Sequence, residues 1–130
     1  MENEKRMLEL FFSPTATSQA AGKAWLARIA ARHVDREPPA SPQVAAAQLA
    51  ALKAWGQVTG EPYGSLKNIP HRTLVVNGHD GIMVPTVGSF ILQHKLPDAR
   101  LMLFPDFGHG SHFQFSPEFA EAAARFFAAD

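Results

Sequence analysis

The sequence of 130 residues contains no cysteine, no excess of either charge and no long apolar run. Without cysteine the chain has no disulfide bond, no thiolate metal site and no cysteine nucleophile. Lysine plus arginine number 12, and so do aspartate plus glutamate, so no net field attracts nucleic acid phosphates or an anionic membrane. We therefore expect neither nucleic acid nor a membrane among the partners.

The N-terminal apolar stretch, residues 7–12, is interrupted by Glu9. It is too short for the apolar core of a signal peptide and far too short to span a bilayer. We therefore expect a cytoplasmic location. The length and an apolar content of 46% are typical of one folded unit.

The alanine-rich part before Pro70 has a helical pattern. In residues 18–33, apolar side chains recur at helical spacing and predict an amphipathic helix; they are Trp25, Leu26, Ile29 and Ala30. The prolines of residues 35–42 end this helix. Ser41 can then cap a second helix that ends near Gly56, with an apolar stripe formed by Ala45, Leu49, Leu52 and Trp55.

The part after Pro70 alternates strand and helix patterns. Residues 73–77 (TLVVN) and 100–104 (RLMLF) are continuous β-prone runs, typical of parallel strands that are covered on both faces. A helix is predicted to begin at Pro85 between them, and another begins at Ser116 and Pro117. The order strand, helix, strand, helix indicates a parallel sheet with crossover connections.

Two segments of this second part resemble the α/β-hydrolase family. They are TLVVNGHDGIMVP at residues 73–85 and LPDARLMLFPDFGHG at residues 96–110. The alanine-rich residues 7–65 are similar to the helical lids that many members insert. The resemblance implies the α/β class and a partial α/β-hydrolase fold: a helical lid-like segment at residues 1–68, then strand, helix, strand, helix with parallel strands at residues 69–130.

The resemblance also implies two site residues. In the family, the loop after the first strand holds the catalytic acid and the loop after the second holds the catalytic histidine. His109, between two glycines, takes the place of the histidine, and Asp80 that of the acid, one residue before Gly81, where related sequences carry the acid. Two other interpretations stay open: a loop histidine bonded to a carbonyl, and a turn aspartate that bonds its own backbone.

The family's serine lies on a Gly-x-Ser-x-Gly elbow, and this sequence contains no such pentapeptide. The resemblance therefore implies a lineage of ester or acyl-bond hydrolases, and we expect this chain to be inactive alone. The alternative is a non-catalytic module for small-ligand binding or assembly, which the missing carboxylate at Gly81 favours.

Other candidates are weaker. Asp106 could replace the acid, because it lies three residues before His109, although aspartates that begin loops usually cap turns. Ser111 is not on a strained elbow. A metal site could combine His79, His112, Asp80 and Asp106, but their spacing lacks the helical metal-binding pattern. We expect no metal and no cofactor. Four aromatic residues are predicted to pack, or to face an acyl pocket from a lid: Phe11, Phe12, Trp25 and Trp55.

A two-stranded sheet is marginal in water, so the two apolar strands need additional partners. The free edge of the first strand invites another copy or another polypeptide. We therefore expect a homodimer or a complementing chain joined through this edge strand. The expected small-molecule partner is an ester-like substrate or an apolar ligand.

Overall fold

The computed structural model describes residues 2–57, 59–79, 81–106 and 108–128. The predicted acid Asp80 lies outside the described residues. The elements in chain order are α1 (Glu2–Phe11), α2 (Ala16–Ala31), α3 (Pro42–Trp55), a 3₁₀ turn (Gly64–Asn68), β1 (Thr73–Gly78), α4 (Thr86–Lys95), β2 (Ala99–Phe104), α5 (Ser111–Gln114) and α6 (Ser116–Ala128). None of the helices in these ranges is long and apolar enough to cross a membrane.

The two strands pair in parallel, which confirms the predicted fold class. Their register runs from Thr73 opposite Ala99 to Gly78 opposite Phe104. Helix α4 connects them and contacts both strands, as expected of a crossover connection. The described residues contain no further strand, so the second edge of β1 is open.

The first part contains three helices, so the prediction of a helix pair was incomplete. The apolar stretch at residues 7–12 belongs mostly to α1, whose first turn carries Glu2 and Glu4 near the positive end of the helix dipole. Helix α2 begins earlier than predicted, because Thr15 is its N-cap and accepts a hydrogen bond from the Ser18 backbone N–H at 3.2 Å.

The core lies where α1 and α2 meet the second strand. Its buried members are Phe12, Trp25 and Phe104. Ten partly buried hydrophobic residues surround them: Met7, Leu8, Phe11, Ala21, Leu26, Val76, Met102, Phe113, Phe115 and Phe119. Large aromatic side chains bury much apolar surface per residue, so this core supplies much of the packing free energy. The predicted packing role is confirmed for Phe12 and Trp25.

Helix α3 has the predicted bounds and the predicted cap, since the Ser41 hydroxyl accepts a hydrogen bond from the Val44 N–H. The apolar stripe of this helix is not buried, because every residue of α3 is exposed, Trp55 to 85%. The cap and the alanine-rich sequence favour the helix locally, whereas burial needs a facing surface that the described residues do not provide. The packing role predicted for Trp55 is therefore wrong.

Candidate functional site

The loop that carries His109 lies against the C-terminal end of α1. The backbone N–H of His109 donates to the carbonyl of Leu10 at 3.4 Å, and that of Gly110 donates to the carbonyl of Phe11 at 3.1 Å. The imidazole ring lies 5.5 Å from the Phe11 ring, measured between centroids. The end of the first helix therefore fixes the position of the histidine backbone.

The two glycines beside His109 are required by this close approach. A Cβ atom at Gly108 would lie 3.0 Å from the carbonyl carbon and 3.1 Å from the oxygen of Phe11. A Cβ atom at Gly110 would lie 2.9 Å from a ring carbon of Phe113. Both glycines also lie close to Phe11 at the end of α1, so the packing of this loop against α1 favours small residues on either side of His109.

Asp106 forms hydrogen bonds with the start of α2. The Thr15 hydroxyl, at the start of α2, lies 2.7 Å from Oδ1 and 2.8 Å from Oδ2 of Asp106. Asp106 has a φ of 50°, in the left-handed region, which aspartate tolerates better than most residues. Both carboxylate oxygens are near Thr15, so the geometry supports a structural role and gives no support to Asp106 as the acid.

A second contact joins α2 to the segment after β2, residues 105–114, which we call the histidine loop. It runs through Ser18, which is fully buried. Its hydroxyl donates to Oε1 of Gln114 at 2.6 Å and accepts from the Ser13 N–H at 3.0 Å. The loop is thus held on both sides of His109, by Asp106 before it and Gln114 after it. Sequence reasoning missed this network, although the hydroxyl residues at the start of α2 were its visible signal.

The loop after β1, where the acid is expected, is organised by Asn77. Its buried side chain donates from Nδ2 to the Val84 carbonyl at 3.2 Å and to the Ser89 hydroxyl at 3.0 Å, and Oδ1 accepts from the Gly78 N–H at 2.8 Å. A Cβ atom at Gly81 would lie 2.8 Å from the Val84 carbonyl oxygen. A side chain at Gly81, the position that the resemblance assigns to the acid, would therefore press on the Val84 carbonyl and require the backbone to shift.

His109 and the exposed edge of β1 line one groove, the histidine groove, with a volume of about 490 Å³. Residues 74–77 of β1 contribute to it, together with His109, Ser111 and Phe119. An imidazole beside an apolar groove can accept a proton from a hydroxyl that is delivered there. The described part of the chain contains no group of three or more histidine, aspartate or glutamate side chains that could hold a metal ion.

His112 lies next to His109 and shares the groove. Partial burial lowers the pKa of His112, and repulsion from His109 lowers this pKa further. The His112 ring also packs on Phe113, with the centroids 4.0 Å apart. Near neutral pH we therefore expect His112 to be uncharged.

Comparisons with known proteins show which fold this chain is similar to. The chain is 28% identical over 122 residues, 92% of its length, to a pimeloyl-[acyl-carrier protein] methyl ester esterase from Nitrosomonas europaea. It superposes over its full length on an alpha/beta hydrolase fold protein from Chitinophaga pinensis, with a TM-score of 0.90 and 35% identity. It also superposes over 98% of its length on a bromoperoxidase from Bacillus anthracis, with a TM-score of 0.66 and 20% identity, which shows the fold alone. No protein-family model matches the sequence.

The chain spans less than half the length of each of these proteins. It covers 46% of the Nitrosomonas protein, 46% of the Chitinophaga protein and 44% of the Bacillus protein. These likenesses therefore concern a part of the complete fold.

Proposed function

We propose that the chain, which superposes on an alpha/beta hydrolase fold protein at 35% identity, carries the histidine base of an enzyme that hydrolyses an ester or a related acyl bond. One observation supports this most strongly. His109 follows the second of two parallel strands, in a loop fixed by α1 and α2, and lines an apolar groove. Catalytic groups in sheets of this kind lie at the carboxyl ends of the strands.

In the proposed mechanism, His109 accepts the proton of a serine hydroxyl while the hydroxyl attacks the acyl carbon, and then returns the proton to the leaving group. Asp80 is proposed to hold the imidazole in the required tautomer. Asp80 lies outside the described residues, so this role rests on the sequence alone. The serine would come from a part of the fold that this sequence does not include.

The substrate class is a further proposal. The Nitrosomonas relative is named as a methyl ester esterase. The groove beside His109 is mainly apolar, so a small ester-like molecule with an apolar chain fits best. The lid-like role of residues 1–68, the core role of residues 69–130 and a cytoplasmic location stay predictions.

Assembly through β1 is part of the same proposal. The free edge of β1 presents unpaired backbone groups beside the histidine groove. A parallel sheet is stable only when it has more than two strands and when other elements cover both of its faces. We propose that a second copy or a complementing polypeptide pairs with this edge. Size-exclusion chromatography with light scattering is expected to show a species larger than 14.2 kDa. A stable, folded monomer would contradict pairing between copies.

The isolated chain is expected to be nearly inert. Hydrolysis of a short-chain nitrophenyl ester should proceed no faster with the chain than with a His109→Ala variant, because no activated hydroxyl is present to attack the ester. If the parent hydrolyses the ester well and His109→Ala abolishes this activity, inertness is refuted and a nucleophile within this chain must be sought.

The alternative function is a non-catalytic module that binds a small apolar ligand or a partner. The packed Gly81 favours it, because a side chain at the position that the resemblance assigns to the acid would press on the Val84 carbonyl. Saturable binding of an apolar ligand in the histidine groove, combined with no activity after a serine-bearing polypeptide is added, would support this alternative.

A further inference from the structure

A second cavity, of about 570 Å³, lies beside the histidine groove, and His112 lines both. Its apolar wall includes Trp25 and Phe113, whose rings stack with centroids 4.6 Å apart. Ile29 of α2 also contributes to this wall. The two cavities therefore share His112 in their walls.

Three arginine side chains give the same cavity a positive charge. Arg28, Arg32 and Arg36 line it, against a single carboxylate, that of Glu37. Two other basic side chains of the surface form ion pairs, Lys5 with Glu9 and Arg125 with Glu121. Within the described ranges, Arg28 and Arg36 make neither a hydrogen bond nor an ion pair through their side chains. Both guanidinium groups are therefore available to a ligand.

The backbone after α2 brings these charges together. The Arg32 side chain donates from Nε to the Val34 carbonyl at 3.0 Å and from Nη2 to the Asp35 carbonyl at 2.8 Å. Asp35 has a φ of 51°, in the left-handed region, and this turn is followed by Arg36 at the same cavity as Arg28. The turn at Asp35, held by Arg32, therefore places Arg36 at the cavity that Arg28 and Arg32 also line.

We propose that this cavity, the arginine pocket, binds an oxyanion carried on an apolar chain. A guanidinium group matches the two oxygens of a carboxylate or phosphate, and an anion relieves the repulsion between the three arginines. The apolar wall accommodates the hydrocarbon part of the ligand. If the proposed hydrolase function holds, the substrate has its acyl bond near His109 and its anionic end in the arginine pocket.

Binding can be tested without catalysis by NMR, through the Nε–H signals of the arginine side chains. Monomethyl adipate carries one carboxylate, butyl phosphate carries a phosphate, and dimethyl adipate is the neutral match of the first. We expect saturable shifts of the Arg28 and Arg36 signals with the two anions, weaker binding at higher salt and no such shifts with the diester. Tighter binding of one anion identifies the preferred oxyanion.

The double variant Arg28→Gln, Arg36→Gln should weaken binding of the preferred anion roughly fivefold or more, judged by the shifts of Arg32. Both side chains are exposed, so the core should stay folded. Lys23→Gln is the matched control, because Lys23 also lies on α2 but lines a different cavity. Equal affinity in the double variant and the parent, or equal shifts with the diester and the monoester, would overturn the proposal.

The proposed hydrolase function is tested separately, because no bond is cleaved in this titration. A His109→Ala variant should bind the anion as the parent does. Anion binding without esterase activity after complementation would support the arginine pocket alone, and activity without anion binding would support the role of His109 alone.

Discussion

The corner formed by α1, α2 and the histidine loop contrasts with helix α3. Both are apolar in sequence, but Trp25 in the corner is 8% exposed and Trp55 on α3 is 85% exposed. Hydrogen bonds through Thr15 and Ser18 also join the elements of the corner, whereas among the described residues the side-chain hydrogen bond found for α3 is its local cap at Ser41. Apolar spacing therefore predicts a helix in both places, but burial depends on a second surface.

The largest effect is expected from the two tryptophans. Trp25→Ala should lower the free energy of unfolding by about 3–5 kcal/mol, because it leaves a cavity among Phe11, Phe12 and Phe113. Trp55→Ala should change it by no more than about 0.5 kcal/mol, as is usual for exposed sites. Urea unfolding measures both values. Similar losses in the two variants would show that α3 is covered in solution.

Two glycines give a smaller contrast with opposite signs. Gly108→Ala should lower the free energy of unfolding by about 1–3 kcal/mol, because the new methyl group meets the Phe11 backbone. Gly88→Ala, in α4, has open space around it and should raise stability by roughly 0.5–1 kcal/mol. Thermal unfolding distinguishes the two, and a neutral Gly108→Ala would mean that the histidine loop does not press against α1.

The helix caps extend the comparison to hydrogen bonds. Thr15→Ala should lower the free energy of unfolding by about 1–2 kcal/mol, because it removes both the α2 cap and the partner of Asp106. Ser41→Ala removes an equivalent cap from α3, which buries no side chain, so it should loosen that helix with little effect on global unfolding. Amide hydrogen exchange separates the two outcomes, and equal global losses would contradict the contrast.

The smallest effect is a pH dependence at His112. Its pKa is lowered in the folded protein, so the unfolded chain binds more protons when the pH falls through the ordinary histidine value of about 6.5. The contribution of the uncharged His112 to the free energy of unfolding should be fully present above this pH. It should decline below this pH until the folded-state pKa is passed. His112→Gln should flatten this part of the curve, although solvent screening keeps the difference small. An unchanged slope would remove His112 as the cause.

Much of the fold could be predicted from the sequence, because its signals are local. Ser41 and Pro42 mark the start of α3, and the β-branched run that begins at Thr73 gives β1 and its parallel pairing. The bond between Thr15 and Asp106 could not be predicted, because these residues are 91 positions apart. Sequence spacing also could not show that α3 stays exposed, since its stripe resembles that of a buried helix.

The candidate site was predictable only in part. The glycines beside His109 marked the histidine loop, but the contact of this loop with Phe11 depends on tertiary packing. The arginine pocket was missed because Arg28 and Arg36 belong to different segments, and the turn at Asp35 brings them to one cavity. Asp80 lies outside the described residues, so its role as the acid stays a prediction.

The central claim is that His109 serves a hydroxyl from another part of the fold. The most direct measurement adds to this chain the portion of the Chitinophaga pinensis protein that it does not cover, and follows nitrophenyl ester hydrolysis. We expect hydrolysis only in the mixture, and a loss of about 10²–10⁴-fold when His109→Ala replaces the parent chain. Hydrolysis that is equally fast with His109→Ala would contradict the claim.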